Sequence, residues 1–340
     1  MRVLRFITKR LILLIPILIG LVTVTFFISH ILPGDPVTLA AGEAAPPETV
    51  ERLRREFGFD QPLWVQYGRF WSHLAHGDLG RSLLTRRPVT EDIIRFFPAT
   101  LELAIVALII AVLVGVSSGV VSAVRQGGFL DHALRVLSIS GVSLPRFWLA
   151  LLLQVLAFQT GLLPISGRID TFIPPPQQIT GLYLVDSLVT ANWAAFWSSA
   201  AHIILPALSM AFAIIGLTQR MTRANMLDVL TQDYVLNAYA AAGLPRTIVN
   251  FKYALKSALI PVVSQVALSL GFLLSGSLLV ETVYNWPGIG LYIVNAANYN
   301  DYQPVIGGVI LTGVIFVMVN LIADILYTVL DPRIEYGKVT

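Results

Sequence analysis

An all-α integral membrane protein with six transmembrane helices is the fold class that this 340-residue chain predicts. Three observations carry it. Hydrophobic residues make up 56% of the chain and charged residues only 13%, against about 25% charged in soluble domains, and the mean hydropathy is +0.74. The apolar residues fall in long runs, as helices that cross a bilayer require. The short segments between runs alternate between basic and nearly base-free, which is the pattern that sets orientation in a membrane. Those basic loops account for the net charge of +3 and the pI near 9.2 without invoking nucleic acid. The absence of cysteine excludes disulfides, iron–sulfur clusters and thiol nucleophiles.

Met1 to Arg10 carries Arg2, Arg5, Lys9 and Arg10 with no acid, and Leu11 to Ile28 follows without a charge. That run is about 27 Å of helix. It is longer than the apolar part of a signal peptide, and the charged, Pro-containing segment Leu32-Pro33-Gly34-Asp35-Pro36 comes next, so it reads as a retained first span with a cytoplasmic N-terminus. Pro33 to Phe97 is a long outer segment. Within it Pro47 and Gly58 bracket a short helix, Glu48 to Phe57. A second helix is expected from Pro62 to about Ala75, with Trp64, Tyr67, Trp71 and Leu74 three or four apart on one face. This suits a helix lying along the outer membrane surface, with contact to a substrate-binding protein as the functional alternative. His73 and His76 are three apart on it, but no further ligands accompany them and metal sites need three or four. No metal is expected.

The second span runs from Pro98 to Val124, where Gly115 and Gly119 share a face and admit a close neighbour. After a short inner loop at Arg125 to Gly128, the third span runs from His132 to Leu163 and contains Pro145 and Arg146. An Arg at that depth costs several kcal/mol against lipid. It either lines the substrate path with Ser143 and attracts a carboxylate, or it sits in an ion pair or reaches to the surface. A second outer segment, Pro164 to about Ala200, is stiffened by Pro174-Pro175-Pro176. The fourth span covers His202 to Arg220, with Pro206 near its outer end and Arg220 and Arg223 marking the inner boundary. The fifth covers Ala258 to Val283, with Glu281 at its outer end. The loop Tyr284 to Gln303 has no Lys or Arg. The sixth covers Pro304 to Leu330, where Asn320 and Asp324 read as packing polars rather than a proton relay, and Asp331-Pro332-Arg333-Ile334 ends it. Counting Lys and Arg over the short loops puts both termini in the cytoplasm.

Between the fourth and fifth spans lies a polar, basic stretch of about thirty residues, Gln232 to Val262. An Ala-rich run from Tyr234 to Ala242 is broken by Gly243-Leu244-Pro245, and Arg246 to Ser257 resumes with Arg246, Lys252 and Lys256. Gly after a helix and Pro shortly beyond is a stop-and-restart signal. By composition it is equally a docking element or an ordinary inner loop. A Gly followed eighteen residues later by Pro, with Tyr253-Ala254-Leu255-Lys256-Ser257-Ala258-Leu259-Ile260-Pro261 leading into a membrane helix, resembles the cytoplasmic coupling loop of binding-protein-dependent ABC importers, in their dipeptide/oligopeptide permease branch. Four further stretches resemble that branch: the N-terminus from Arg2 to Pro36, Gly77-Asp78-Leu79-Gly80, Ser143 to Trp148, and Trp286-Pro287-Gly288-Ile289-Gly290.

The resemblance implies the type I ABC importer permease fold. Its parts would be an N-terminal tip and first helix (1–32), a periplasmic helical and loop insertion (33–97), a five-helix core (98–330) that includes the coupling loop 228–257, and a cytoplasmic tail (331–340). It implies as partners a related second permease, two ABC ATPase subunits and an extracytoplasmic substrate-binding protein, in a bacterial inner membrane. Asp233, Tyr234, Ala238, Ala241, Gly243, Leu244, Arg246 and Pro261 would serve ATPase coupling. Gly243 and Leu244 would shape the turn and Pro261 would fix the return into the fifth span. The translocation path would include Arg146, Ser143 and Glu281.

The chain has no G-x-x-x-x-G-K-[ST] loop, no H-E-x-x-H and no G-x-S-x-G, so neither ATP hydrolysis nor any other catalysis is expected of it, and no cofactor. The competing class is a self-sufficient secondary transporter or channel, which would need its own ion site and inverted repeats with broken helices; no internal repeat is evident. A membrane scaffold would leave the coupling loop without a purpose. Peptide is the expected cargo, with glutathione, nickel complexes and sugars as alternatives inside the same branch.

Overall fold

The computed structural model describes residues 2–31, 36–41, 45–240 and 245–330, and every regular element among them is helical. In chain order these are α1 (Arg2–Ile31), α2 (Pro36–Ala41), α3 (Pro47–Phe57), α4 (Leu63–Ala75), α5 (Val89–Val124), α6 (Phe129–Ser143), α7 (Arg146–Thr160), α8 (Tyr183–Val189), α9 (Trp193–Leu230), α10 (Asp233–Ala240), α11 (Arg246–Ile248), α12 (Leu255–Ser275), α13 (Leu278–Val283), α14 (Ile289–Asn298) and α15 (Tyr302–Leu330). A π-helical turn, Val249–Ala254, joins α11 to α12. Four helical stretches are long and apolar enough to cross a membrane, five if the bent pair α6–α7 counts as one, and α1 adds the shorter apolar stretch Ile15–Ile28.

The two longest helices form the centre. At 36 and 38 residues, α5 and α9 run about 54 and 57 Å, well past a hydrocarbon core of about 30 Å. The sequence boundaries Pro98, His202 and Arg220 therefore fell inside these helices, while Val124 is the end of α5. A helix satisfies its own backbone hydrogen bonds in water as in lipid, so nothing stops it at the membrane edge. The pair touches through Gly115 and Gly119: a Cβ on Gly119 would lie 2.6 Å from the Thr222 Cβ and 2.8 Å from the Gln219 carbonyl, and one on Gly115 would lie 2.7 Å from the Thr218 Cβ. The face expected from the four-residue spacing is the contact itself.

The third span is not one helix. α6 and α7 meet at 109° across Leu144-Pro145. Pro145 has no N–H to continue α6 and pushes the preceding residue out of helical geometry, and Leu144 is extended at ψ 131°. The fifth span also ends early: α12 stops at Ser275, and Leu278–Val283 is a separate short helix.

The far end of the bundle, away from α10, is tied to the first half of α5. Asp92 accepts hydrogen bonds from Thr85 Oγ1 (2.5 Å) and Tyr292 Oη (3.0 Å) and pairs with Arg87 (2.7 Å). Trp286, fully buried, donates its Nε1–H to the Ala99 carbonyl at 2.9 Å. Glu102 takes Arg168 through Nε (3.2 Å) and Nη2 (2.6 Å), and its other oxygen accepts the Leu184 N–H at 2.7 Å. The Gly77–Gly80 motif is a turn in which Asp78 accepts the Gly80 N–H at 2.8 Å and holds His73 at 2.9 Å. α3 is as expected, closed by Gly58 at φ 75°, a left-handed position that glycine takes without cost. α4 is present too, but Tyr67, Trp71 and Leu74, with Phe70 of the same helix, pack against Val22, Phe26, Tyr302 and Ile306; of the expected aromatic face Trp64 alone stays open, at 76% exposed. Among the described residues no group of three His, Cys, Asp or Glu is placed to hold a metal.

Two outcomes follow. Gly119→Val drives a side chain into the α9 backbone, and overpacking of this kind costs about 1–3 kcal/mol; the thermal midpoint of the detergent-purified protein falls, whereas Val121→Ala, on the exposed side of α5, leaves it unchanged. Asp186, ahead of α9, answers to pH. Burial raises its carboxyl, but the Thr180 hydroxyl and the backbone N–H groups of Thr180, Ile179 and Gly181 outweigh that and hold it below the ordinary value. A carboxyl lowered on folding contributes stability that is complete above the unfolded value of about 4 and is lost as pH falls through the folded one. Unfolding midpoints measured from about pH 6 downward therefore drop more steeply below about pH 4 in the wild type than in Asp186→Asn.

Candidate functional site

The polar stretch between α9 and α12 folds back on itself. α10 starts three residues after α9 ends, separated by Thr231 and Gln232. It is pinned to the following segment by two side-chain bonds: the Tyr239 hydroxyl donates to Asn250 Oδ1 at 2.5 Å, and the Tyr234 hydroxyl donates to Ser257 Oγ at 3.0 Å. Between them Val235, Val249 and Ala254 are fully buried, so the two limbs share a small apolar core. Outward, the stretch presents Asp233, Leu236, Arg246, Ile248, Lys252 and Lys256, with Phe251 61% exposed. Ala238 is half-buried in the fold-back. Ala241, Gly243 and Leu244 lie outside the described residues. Pro261 does not sit where the chain returns to apolar sequence. It is inside α12, the seventh residue of the helix, and the return is made by the π turn Val249–Ala254. The π turn's longer hydrogen-bond step loosens the helix just ahead of a proline that already lacks an N–H donor.

The same end of the bundle is locked by a cluster that spacing did not announce. Asp131, in the first turn of α6, is fully buried; it accepts from Ser122 Oγ of α5 at 2.5 Å, from the Gly127 N–H at 3.0 Å, and from Arg223 of α9 through Nε (2.7 Å) and Nη2 (2.9 Å). One carboxylate thus joins three helices and a turn immediately above the fold-back. Arg223 marks more than a boundary, since α9 continues to Leu230 beyond it. The signal available in the sequence was a single acid beside Gly127-Gly128 in an otherwise basic loop. Glu102 was equally visible, as one carboxylate in an apolar run, where an intramembrane charge implies a partner.

Of the three residues expected on the path, two are together. Ser143 and Arg146 flank the Leu144-Pro145 break, Ser143 exposed and Arg146 half-buried. Among the described residues no carboxylate lies within 4.0 Å of Arg146, so the ion-pair reading has no partner there. Its guanidinium occupies the space where a side chain on Gly276 would stand, 2.8 Å from that Cβ position, at the C-terminal end of α12. A cation there also faces the negative end of the helix dipole. Asn320 is half-buried in an apolar cleft with Ile17 and Leu21, and the Asp324 side chain lies outside the described residues.

Glu281 is elsewhere. It is fully buried, and its carboxylate accepts from Thr100 Oγ1 at 2.7 Å and from the Leu291 N–H at 3.0 Å. Thr100 in turn accepts the Ile289 N–H at 2.9 Å. Together they cap the start of α14, where a carboxylate meets free N–H groups and the positive end of the dipole. The Trp286 to Gly290 motif now has a reason: a Cβ on Gly288 or Gly290 would strike the Glu281 carboxylate, at 2.5 and 2.8 Å. Burial pushes this carboxyl up, against hydrogen bonds from Thr100, Ser277 and the α14 backbone that pull it down. Glu281 is enclosed by its own chain.

Comparison with known proteins places the chain in a family. Residues 111–336 match the family described as binding-protein-dependent transport system inner membrane component, and residues 3–104 match its N-terminal membrane component. The chain belongs to this family. It is a multi-pass inner membrane permease component, a transport subunit rather than an enzyme. It is 44% identical over 325 residues to the probable D,D-dipeptide transport system permease protein of Escherichia coli K12, covering 95% of each chain. It is 44% identical over 329 residues to the dipeptide transport system permease protein of Alkalihalophilus pseudofirmus, covering 96% of this chain and 98% of that one. Identity to the glutathione transport system permease protein of Salmonella paratyphi A is 37% over 334 residues, 98% and 99% of the two chains.

Glu281→Gln tests the enclosed reading. The amide replaces one acceptor with a donor facing N–H or O–H groups, and leaving a buried group unpaired costs about 1–3 kcal/mol. The thermal midpoint falls. A residue on the path would instead alter transport and leave the midpoint in place.

Proposed function

We propose that this chain is one of two permease subunits of a peptide-importing ABC transporter and forms half of the translocation path. ATPase subunits drive it through the α10–α12 fold-back. The observation that carries this reading is the fold-back itself, a braced surface of exposed Leu236, Ile248 and Phe251 among Arg246, Lys252 and Lys256. Such a surface at the end of two helices that outrun a bilayer has little use unless another protein sits on it. Peptide as the cargo is supported by the names of the similar proteins, most of them dipeptide permeases.

In this reading six spans cross the membrane, both termini and the fold-back are cytoplasmic, and the far end with 45–97 and α14 is periplasmic. ATP-driven closure of two ATPase subunits moves the fold-back as a rigid piece. α9 carries the motion, because Arg223–Asp131 fastens it to α5 and α6 directly above the contact. Asp233, Tyr234 and Arg246 belong to the docking face, Ala238 of α10 backs it, and Ala241, Gly243 and Leu244 serve the same coupling. Cargo arrives from a periplasmic binding protein and passes along the face shared with the second permease. The chain holds no cofactor of its own. Ser143 and Arg146 at the α6–α7 break line the path, and Arg146 meets the carboxylate end of the peptide.

Reconstituted transporter with its companion subunits tests the first part. A peptide-loaded binding protein raises ATPase activity several-fold in the wild type, and Gly243→Trp or Leu236→Asp removes the stimulation. Transport of peptide by this chain alone down an ion gradient, without ATP, would overturn the assignment. For Arg146, a hydrogen bond to a charged group contributes about 1.5–3 kcal/mol, so Arg146→Gln raises the concentration for half-maximal uptake about tenfold or more for free-carboxylate peptides and leaves C-terminally amidated peptides unchanged. Gly276→Ala, which displaces the guanidinium, has the same sign.

A further inference from the structure

A cleft of about 770 Å³ opens between α3, α4 and the turn before α5, with α1 and the start of α15 behind it. It belongs neither to the fold-back nor to the α6–α7 break. Its floor is aromatic: Phe26 of α1, Phe70 of α4 and Tyr302 of α15 are all buried there. Its rim is cationic. Arg52, Arg69, Arg81 and Arg86 line it and are exposed, and none has a carboxylate within 4.0 Å among the described residues. The neighbouring Arg87 is paired with Asp92 at 2.7 Å, so the rim arginines are not merely a surplus of surface charge seeking nearby acids. Two acids line the same cleft: Asp78, held by the Gly80 N–H and His73 and also under the field of Arg81, and Glu56. Arg86 is held at φ 57°, a left-handed conformation that costs a side-chain-bearing residue free energy.

The height of the cleft is set by α1. The Tyr67 and Thr23 hydroxyls bond at 2.7 Å, and Phe27, Ile28 and Val24 of the same α1 turns are exposed, as side chains facing acyl chains are. Trp64 stands out from α4 nearby, the position that amphipathic aromatics take at a bilayer interface. The cleft is therefore level with the headgroup zone and continuous with a lipid-facing helix. Guanidinium groups bind phosphate oxygens bidentately, the geometry that a phosphodiester headgroup offers.

We propose that this cleft is a binding site for the phosphodiester headgroup of an anionic phospholipid, with Arg52, Arg69, Arg81 and Arg86 on the phosphate and the first acyl carbons against Phe26 and Phe70. The assignment is independent of the cargo.

The test is native mass spectrometry of the complete transporter, titrated with phosphatidylglycerol or phosphatidylcholine, in wild type, in Arg52→Gln/Arg69→Gln/Arg86→Gln and in the corresponding triple Lys variant. The wild type retains phosphatidylglycerol over phosphatidylcholine at least fivefold. The Gln variant loses at least threefold of that preference with an unchanged melting point in lipid-free detergent, and the Lys variant keeps most of it. Equal retention of the two lipids by the wild type, or an unaltered preference in the Gln variant, overturns the proposal. So does displacement of the lipid by inorganic phosphate at millimolar concentration, which would make the site one for free phosphate. Loss of stimulation by the binding protein with lipid preference intact would make the cleft a protein-docking surface instead.

Discussion

Close contact between α5 and α9, with no side chain on one side of it, is the constraint on which the molecule depends. In lipid there is no hydrophobic gain from pressing two apolar helices together, so association relies on van der Waals fit and on polar groups that find partners. Gly115 and Gly119 supply the fit. The polar partners lie at the two ends of the same helix. Asp92, Ala99, Thr100 and Glu102 take hydrogen bonds from segments far away in sequence, and Ser122 meets Asp131 and, through it, Arg223. α5 is thus a mast whose first half anchors the loops and whose end is tied to α6 and α9.

Much of this was legible in the sequence. The class, the short helix ended by Gly58 and the glycine contact face followed from composition, spacing and turn chemistry, and the motifs pointed to the permease family; the stretch between α9 and α12 was visible as polar and basic, but its folding back was not. The limits had physical causes. Hydropathy sees the thickness of the bilayer and not the length of the helix, so α5 and α9 were read short. Pro145 and Pro261 look alike in sequence, yet one breaks its helix and the other is absorbed within one. Glu281 looked like a path residue because a carboxylate at the end of a span is often wet; its Thr100 partner lies 181 positions away, beyond the reach of any local pattern.

The two ends of the bundle use charge in different ways. At the far end the carboxylates of Glu102 and Asp92 are saturated by arginine, hydroxyl and backbone donors, which fixes the loops against the helices. At the α10 end the saturated cluster is the single Asp131 group, and beyond it Arg246, Lys252 and Lys256 are left toward solvent. Rigidity above and open charge below is what a lever requires: a stiff attachment and a surface on which a force can act.

The π turn at Val249–Ala254 carries a consequence for how the lineage tolerates change. Its hydrogen-bond step is one residue longer than that of an α-helix, so it stores a residue that the helix on either side does not count. Losing or gaining one position here alters the width of the turn while the phase of α12, and with it the identity of the residues that face α15, stays as it was. A single-residue change here is therefore absorbed within the turn. Elsewhere in the spans the same single-residue change would rotate every side chain beyond it by about 100°, the angular step of a 3.6-residue helix.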